Sequence, residues 1–149
     1  FVNKYPASPR LEQCNRMIEG LRNKMRVKAF ESAMLFYRME DYRASAVTLQ
    51  HLLVEYPDLE EREKIRWLVV ESFYKLATNS IEAKKASRFE SMLEAHQALS
   101  EEYPQSLYLA RSRALAEEAR AFLASPRAHN GGVLPSTAHT TTSFAHSTF

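Results

Sequence analysis

Two stretches, LLVEYPDL (residues 52–59) and LSEEYPQSL (residues 99–107), decide the fold through what they share. In each, helix-forming residues run into Tyr-Pro and then into small polar or acidic residues. Proline lacks the N–H that would continue a helix, and it pushes the residue before it out of the helical region. The chain therefore stops one helix at each Tyr-Pro and can start another shortly after. A third copy, NKYPAS, occupies residues 3–8. The tyrosines, Tyr5, Tyr56 and Tyr103, are separated by 51 and 47 residues, which marks an internal repeat of helical hairpins.

Outward from these joints, the chain has few other breaks. Between Arg10 and Ser125 the only glycine is Gly20 and the only prolines are Pro57 and Pro104. Long helices follow, and the clustered glycines of a phosphate-binding loop are excluded from this span. A first helix is expected over 9–39, with apolar residues at Leu11, Cys14, Ile18, Leu21, Met25, Ala29, Ala33 and Phe36, all three or four apart. Glu40-Asp41 forms the turn, and a second helix over 42–56 buries Ala46, Leu49, Leu52 and Leu53. Asp58 is expected to cap a third helix over 59–77, striped by Ile65, Leu68, Val69, Ser72, Phe73 and Leu76. A polar connection over 78–87 leads into a fourth helix, about 84–103, with Phe89, Met92, Leu93, His96 and Leu99 inward. A fifth helix over 106–124 carries a weak stripe of Leu107, Ala110, Ala114, Leu115 and Phe122. The expected architecture is all-α: tetratricopeptide-like hairpins stacked as a right-handed solenoid over 1–125, closed by a capping C-terminal helix. Residues 126–149, rich in Ser, Thr and Ala, have no helical period and are expected to be a disordered tail.

Composition narrows the function classes. Twenty Lys and Arg against eighteen Asp and Glu leave a formal net charge of +2. That near balance argues against a nucleic-acid partner, whose binder would be lopsided in charge. No stretch approaches the apolar length of a membrane span. Cys14 is the sole cysteine and reads as a small, semi-buried helix residue. Asp41 and Asp58, the only aspartates, sit at turns, and no nucleophile, base and orienter set suggests an enzyme. His51 and His96 have no His, Cys or Asp three or four residues on, and His129, His139 and His146 are scattered through the tail, so neither a metal nor a cofactor is expected. The opening FVNKYP reads as a helix end, so an upstream part of the array is expected. Its loss would leave Leu11, Ile18 and Leu21 exposed and prone to self-association.

Small residues at Ala33 and Ser45, Tyr42 after the turn, and Leu49 and Leu52 fit the tetratricopeptide pattern, as does IRWLVVESFYKLA over 65–77. With the Tyr-Pro joints, the turn FYRMEDYRASAV (36–47) and the connection over 77–108, above all NSIEAKKASRF (79–89), the chain resembles the C-terminal half of the BamD family of outer-membrane assembly lipoproteins. The resemblance covers about residues 1–123. It implies a scaffold at the periplasmic face of the outer membrane, held to the membrane only through an N-terminal lipid absent from this chain. The implied partners are the POTRA domains of a BamA-like protein and other assembly subunits, and the implied role is to support insertion of β-barrel proteins. Relatives carry an Arg that pairs with BamA at the position matching Thr48, which cannot make that charge pair. The expected partner-binding face is the outer side of the second helix: Arg43, Val47, Gln50, His51 and Val54. Two alternatives keep the architecture: a CpoB-type envelope coordinator, or a cytosolic adaptor. Either would hold an extended peptide in a groove lined by Arg26, Phe30, Tyr37, Arg66, Trp67 and Tyr74; outside that alternative, Trp67 lies beside the apolar stripe and is expected to pack in the core.

Overall fold

A computed structural model describes residues 9–126. The proposed tail beyond Pro126, with its three histidines, and the first Tyr-Pro at Tyr5 lie outside the described residues. Five helices and no strand occur among the described residues: α1 (Pro9–Arg38), α2 (Tyr42–Glu55), α3 (Arg62–Thr78), α4 (Glu82–Glu102) and α5 (Leu109–Leu123). The all-helical expectation holds. Each helix packs on the next in the chain, and α3 also touches α5. Cross-contacts fix the directions. Ser45 near the start of α2 meets Ser72 late in α3 (3.4 Å), and His96 of α4 meets Ser112 of α5 (2.6 Å), so these neighbours run antiparallel.

The helix ends follow from local chemistry. At the end of α1 the Asp41 amide donates to the Phe36 carbonyl (3.0 Å) and the Glu40 amide to Tyr37 (3.1 Å). This pairing closes the last turn and requires a left-handed residue between them. Glu40 takes that position, with φ 62°. Asp41 then caps α2, its carboxylate accepting from the Ala44 amide at 3.1 Å. The two Tyr-Pro joints share one conformation. Tyr56 has φ −125° and ψ 80°, Tyr103 has φ −132° and ψ 72°, and their amides donate to the Leu52 and Leu99 carbonyls. Both tyrosines have left the helical region, which a following proline disfavours. In both copies the next helix begins six residues after the tyrosine, at Arg62 and Leu109.

Two core clusters form, one on each side of α3. Ala33 of α1, Leu49, Leu52 and Leu53 of α2, and Ile65, Leu68 and Val69 of α3 build the first, with Tyr56 and Leu59. Trp67, Val70 and Ala77 of α3 join Phe89, Met92 and Leu99 of α4 and Leu109, Ala116 and Ala119 of α5 in the second. Phe73 packs against both. Small residues stand where helices cross closely: Ala33, Ser45, Ser72 and Ser112 are fully buried. At the second crossing, burial chiefly, and then the nearby Arg120 and Arg113, hold the His96 imidazole below its ordinary pKa, so it packs neutral against Ser112.

Several expectations are corrected. Asp58 does not cap α3, because 57–61 form turns and the helix starts at Arg62 with Glu61 at its N-cap. Leu59 plugs into the core there, and the Asp58 carboxylate reaches Arg22 at 3.6 Å instead. The connection before α4 is only residues 79–81, not a ten-residue polar insertion. From Glu82 onward the sequence has good helix formers and no breaker, and Lys85 pairs with Glu82 (2.7 Å) in the first turn. Leu107 before α5, and Ala110 and Ala114 in it, face solvent, while Leu109, Ser112, Ala116 and Ala119 are buried. Leu115 and Phe122 of the expected stripe do pack against the second cluster, beside small residues that let α5 lie close to α4. Cys14 is exposed rather than semi-buried.

Replacing Glu40 by glycine removes the steric cost of its left-handed conformation. Glu40→Gly should raise the urea-unfolding free energy by about 1 kcal/mol. An unchanged or lowered midpoint would show that the turn is not built this way.

Candidate protein-binding surfaces

α2 is two-faced. Its inner side presents Ala46, Leu49, Leu52 and Leu53 to the first core cluster, with Ser45 at the crossing of α3. Arg43, Val47, Gln50, His51 and Val54 recur at four-, three-, one- and three-residue steps, which puts them on the opposite side. All five are exposed, so the structure brings the expected partner-binding residues onto one open face. Val47 is 45% exposed and Val54 83%, two apolar side chains two turns apart. Beside them, Gln50 lines a cleft of 300 Å³ with Arg66, Val69, Ser91, Glu94 and Ala98. Thr48 flanks this face, half-buried, its hydroxyl donating to the Ala44 carbonyl at 2.8 Å. It is folded back on its own helix and offers no charge.

The six groove residues do not form one open groove. Trp67 is only 5% exposed, because α5 covers it: its ring stacks on Tyr108 (5.8 Å between centroids, 3° between planes) and the Arg111 guanidinium lies 5.3 Å from its centre. Phe30 packs against the first core cluster. Arg66 turns to the far end of α4, where it donates to Glu102 at 2.7 Å. Arg26 donates to Asn23 on its own helix at 2.6 Å. Tyr37 and Tyr74 do lie along the α1–α3–α5 side, yet both are engaged. The Lys75 ammonium donates to the Tyr37 hydroxyl (2.6 Å) and sits 4.5 Å from its ring centre. Tyr74 donates to the Glu118 carboxylate. That hydrogen bond first, and burial second, push the Tyr74 hydroxyl up to about 12.

Residues that the groove expectation left out complete this side. Glu71 accepts from Arg111 at 3.3 Å, so Trp67, Glu71 and Tyr74 of α3 answer Tyr108, Arg111 and Glu118 of α5 in order. The signal was available: positions 67, 71, 74 and 75 recur at helical spacing and carry aromatic and charged groups. Lys75 is held protonated above its ordinary range, chiefly by its hydrogen bond to Tyr37. What results is a polar seam along three helices, with Arg111 and Glu118 still exposed, rather than an apolar slot for a peptide.

A second clamp fixes the other ends of the helices. Arg62 and Arg66 both donate to Glu102, and Arg62 also donates to the Leu53 carbonyl (2.7 Å) near the end of α2. Partial burial alone would raise the Glu102 carboxyl, but the two guanidiniums hold it below the usual carboxylate range. Among the described residues no group of three or more His, Cys, Asp or Glu side chains could hold a metal ion. None of the described helices is long and apolar enough to cross a membrane. No protein-family model matches the chain, and no curated protein matches it.

The one tryptophan reports directly on the seam. Its emission should be blue-shifted and resistant to acrylamide, and Trp67→Ala should cost about 3–5 kcal/mol in urea unfolding. Water-like emission would return Trp67 to an open groove.

Proposed function

We propose that this chain is a tetratricopeptide-like scaffold, not an enzyme, that binds a protein on the outer face of α2. The observation that carries the reading is the pair Val47 and Val54, exposed on one face and bordered by Arg43, Gln50 and His51. Apolar side chains ringed by polar ones are the composition of a protein-binding patch. The hairpin-repeat architecture is supported by the matching Tyr-Pro joints. A 47-residue shift carries Leu49, Leu52, Ile65, Val69 and Ser72 onto His96, Leu99, Ser112, Ala116 and Ala119, all of them buried.

The particular role we propose is that of a BamD-type subunit at the periplasmic face of the outer membrane, meeting the POTRA domains of a BamA-like protein and supporting β-barrel insertion. This rests on the sequence resemblance. Its support is narrower than the sequence suggested, because NSIEAKKASRF is largely the first turns of α4. With Thr48 turned inward, contact on this face would be carried by valine burial and by Arg43 rather than by an Arg at position 48. A CpoB-type or cytosolic adaptor that holds a peptide along the first helices has less support, since Trp67 is covered and Tyr37 and Tyr74 are engaged.

A photo-activatable residue placed at position 47 or 54 in cells should yield an adduct with the BamA-like protein, and the same residue at buried position 49 should not. Labelling of lipid or solvent alone from 47 and 54 would sink the assignment of this face.

A further inference from the structure

We propose that the N-terminal two thirds of α1 is a separate docking surface, for an amphipathic helix of a partner protein whose apolar seam is flanked by acidic residues. It does not depend on the function assigned to α2. α1 has 30 residues and α2 has 14, which at helical rise is about 45 Å against about 21 Å. Pro57 ends α2 early, so α2 covers α1 only over its C-terminal part, around Ala29 and Ala33.

The apolar stripe does not stop where α2 does. Leu11, Cys14, Ile18, Leu21 and Met25 precede Ala29, Ala33 and Phe36 on the same side of the helix. Ile18, Leu21 and Met25 are 62, 61 and 61% exposed. The open surface is thus continuous with an interface that a helix already occupies. At the junction, Ile18, Leu21, Arg22 and Met25 line a cleft of 350 Å³ with Glu55 and Tyr56, where the end of an incoming helix would abut the end of α2.

The stripe also states what fits it. Its steps of three, four, three and four are the heptad seam of a coiled coil, with Leu11, Ile18 and Met25 at a positions and Cys14 and Leu21 at d. A seam this narrow matches one helix, whereas a helix lying on a lipid surface buries a broader arc. The e and g positions flanking it are Arg10, Asn15, Met17, Arg22 and Lys24, none of them acidic. Residues 9–28 hold six basic side chains and two acidic ones, and one of the two, Glu12, is 3.1 Å from Arg16. The Arg22–Asp58 pair (3.6 Å) has both side chains more than half exposed, so Arg22 can exchange it for a partner carboxylate. Charges at e and g select partners, and these select Glu or Asp. A second copy of this chain would set basic flanks against basic flanks, so the self-association expected from the apolar face is not the favoured use of it.

Two synthetic helices of about three heptads test this against the full chain. Both have Leu at a and d; one has Glu at e and g, the other Lys. The Glu peptide should bind about tenfold or more tightly than the Lys peptide, and the difference should shrink in about 0.5 M salt. Arg22→Glu with Lys24→Glu should reverse the preference. Ile18→Asp or Leu21→Asp should abolish binding with helix content unchanged by circular dichroism, while Leu107→Asp, which removes a still more exposed leucine elsewhere, should leave it intact. Equal binding of the two peptides, no binding of either, or binding that survives Leu21→Asp would overturn the proposal. So would sedimentation of the chain as a dimer that Leu21→Asp dissolves, or α1-dependent binding to phosphatidylglycerol vesicles in preference to the Glu peptide.

Discussion

The burial of α3 on two opposite sides is the constraint on which the rest of the molecule depends. Ile65, Leu68 and Val69 face α1 and α2, while Trp67, Val70 and Ala77 face α4 and α5. A helix with only one apolar stripe would need one partner; α3 is apolar most of the way round and needs helices on both sides. Each of its larger apolar side chains, fully buried, contributes about 1.5–3 kcal/mol before the entropy of ordering the chain is set against it. The polar contacts then fix orientation: Ser45 against Ser72, the Glu102 clamp on Arg62 and Arg66, and the seam from Tyr37 through Lys75 and from Trp67 to Glu118. They connect elements that the apolar contacts have already brought together.

The same arrangement sorts the surface into engaged and open faces. On the α1–α3–α5 side Trp67 is covered, and α3 places Glu71 and Tyr74 against Arg111 and Glu118 in surface polar pairs. The outer face of α2 is open, because its inner face alone satisfies the core. The N-terminal part of α1 is open for a different reason: the helix that would cover it is cut short by Pro57. Two distinct apolar patches remain, one built round a pair of valines and one a heptad seam with basic flanks. The two patches share no residue, so an occupant of one need not displace an occupant of the other.

Much of this was legible in the sequence. Every helix was found, and the Tyr-Pro joints were right because proline acts locally and without exception on the residue before it. The inward faces of α2 and α4 and one of the two faces of α3 were right because their large apolar residues recur at helical spacing; the stripe left out Val70 and Ala77 on the second face of α3. α5 was read only in part: Leu115 and Phe122 do pack inward, but Ser112, Ala116 and Ala119, which carry little hydrophobic signal, were missed. The repeat held the answer, since those positions are Ile65, Val69 and Ser72 shifted by 47. Asp58 was misjudged because a buried Leu59 draws the following residues into turns before the helix can start, a tertiary effect that local capping rules do not contain. The five α2 residues were correctly placed on one face, since period alone decides that. The groove residues were not brought together: Trp67 is in the core, as its place beside the apolar stripe indicates, and is covered by the start of α5, 40 residues further along the chain.

Native-state hydrogen exchange tests the central claim most directly. If α3 is the shared core and the start of α1 has no neighbour among the described residues, amides of 69–72 should exchange only through global unfolding. Amides of 13–24 should exchange at least about a hundredfold faster, through local fraying that leaves α2–α5 intact. Equal protection of the two segments in a monomeric sample would contradict the account, because it would mean that the N-terminal part of α1 is already packed against something.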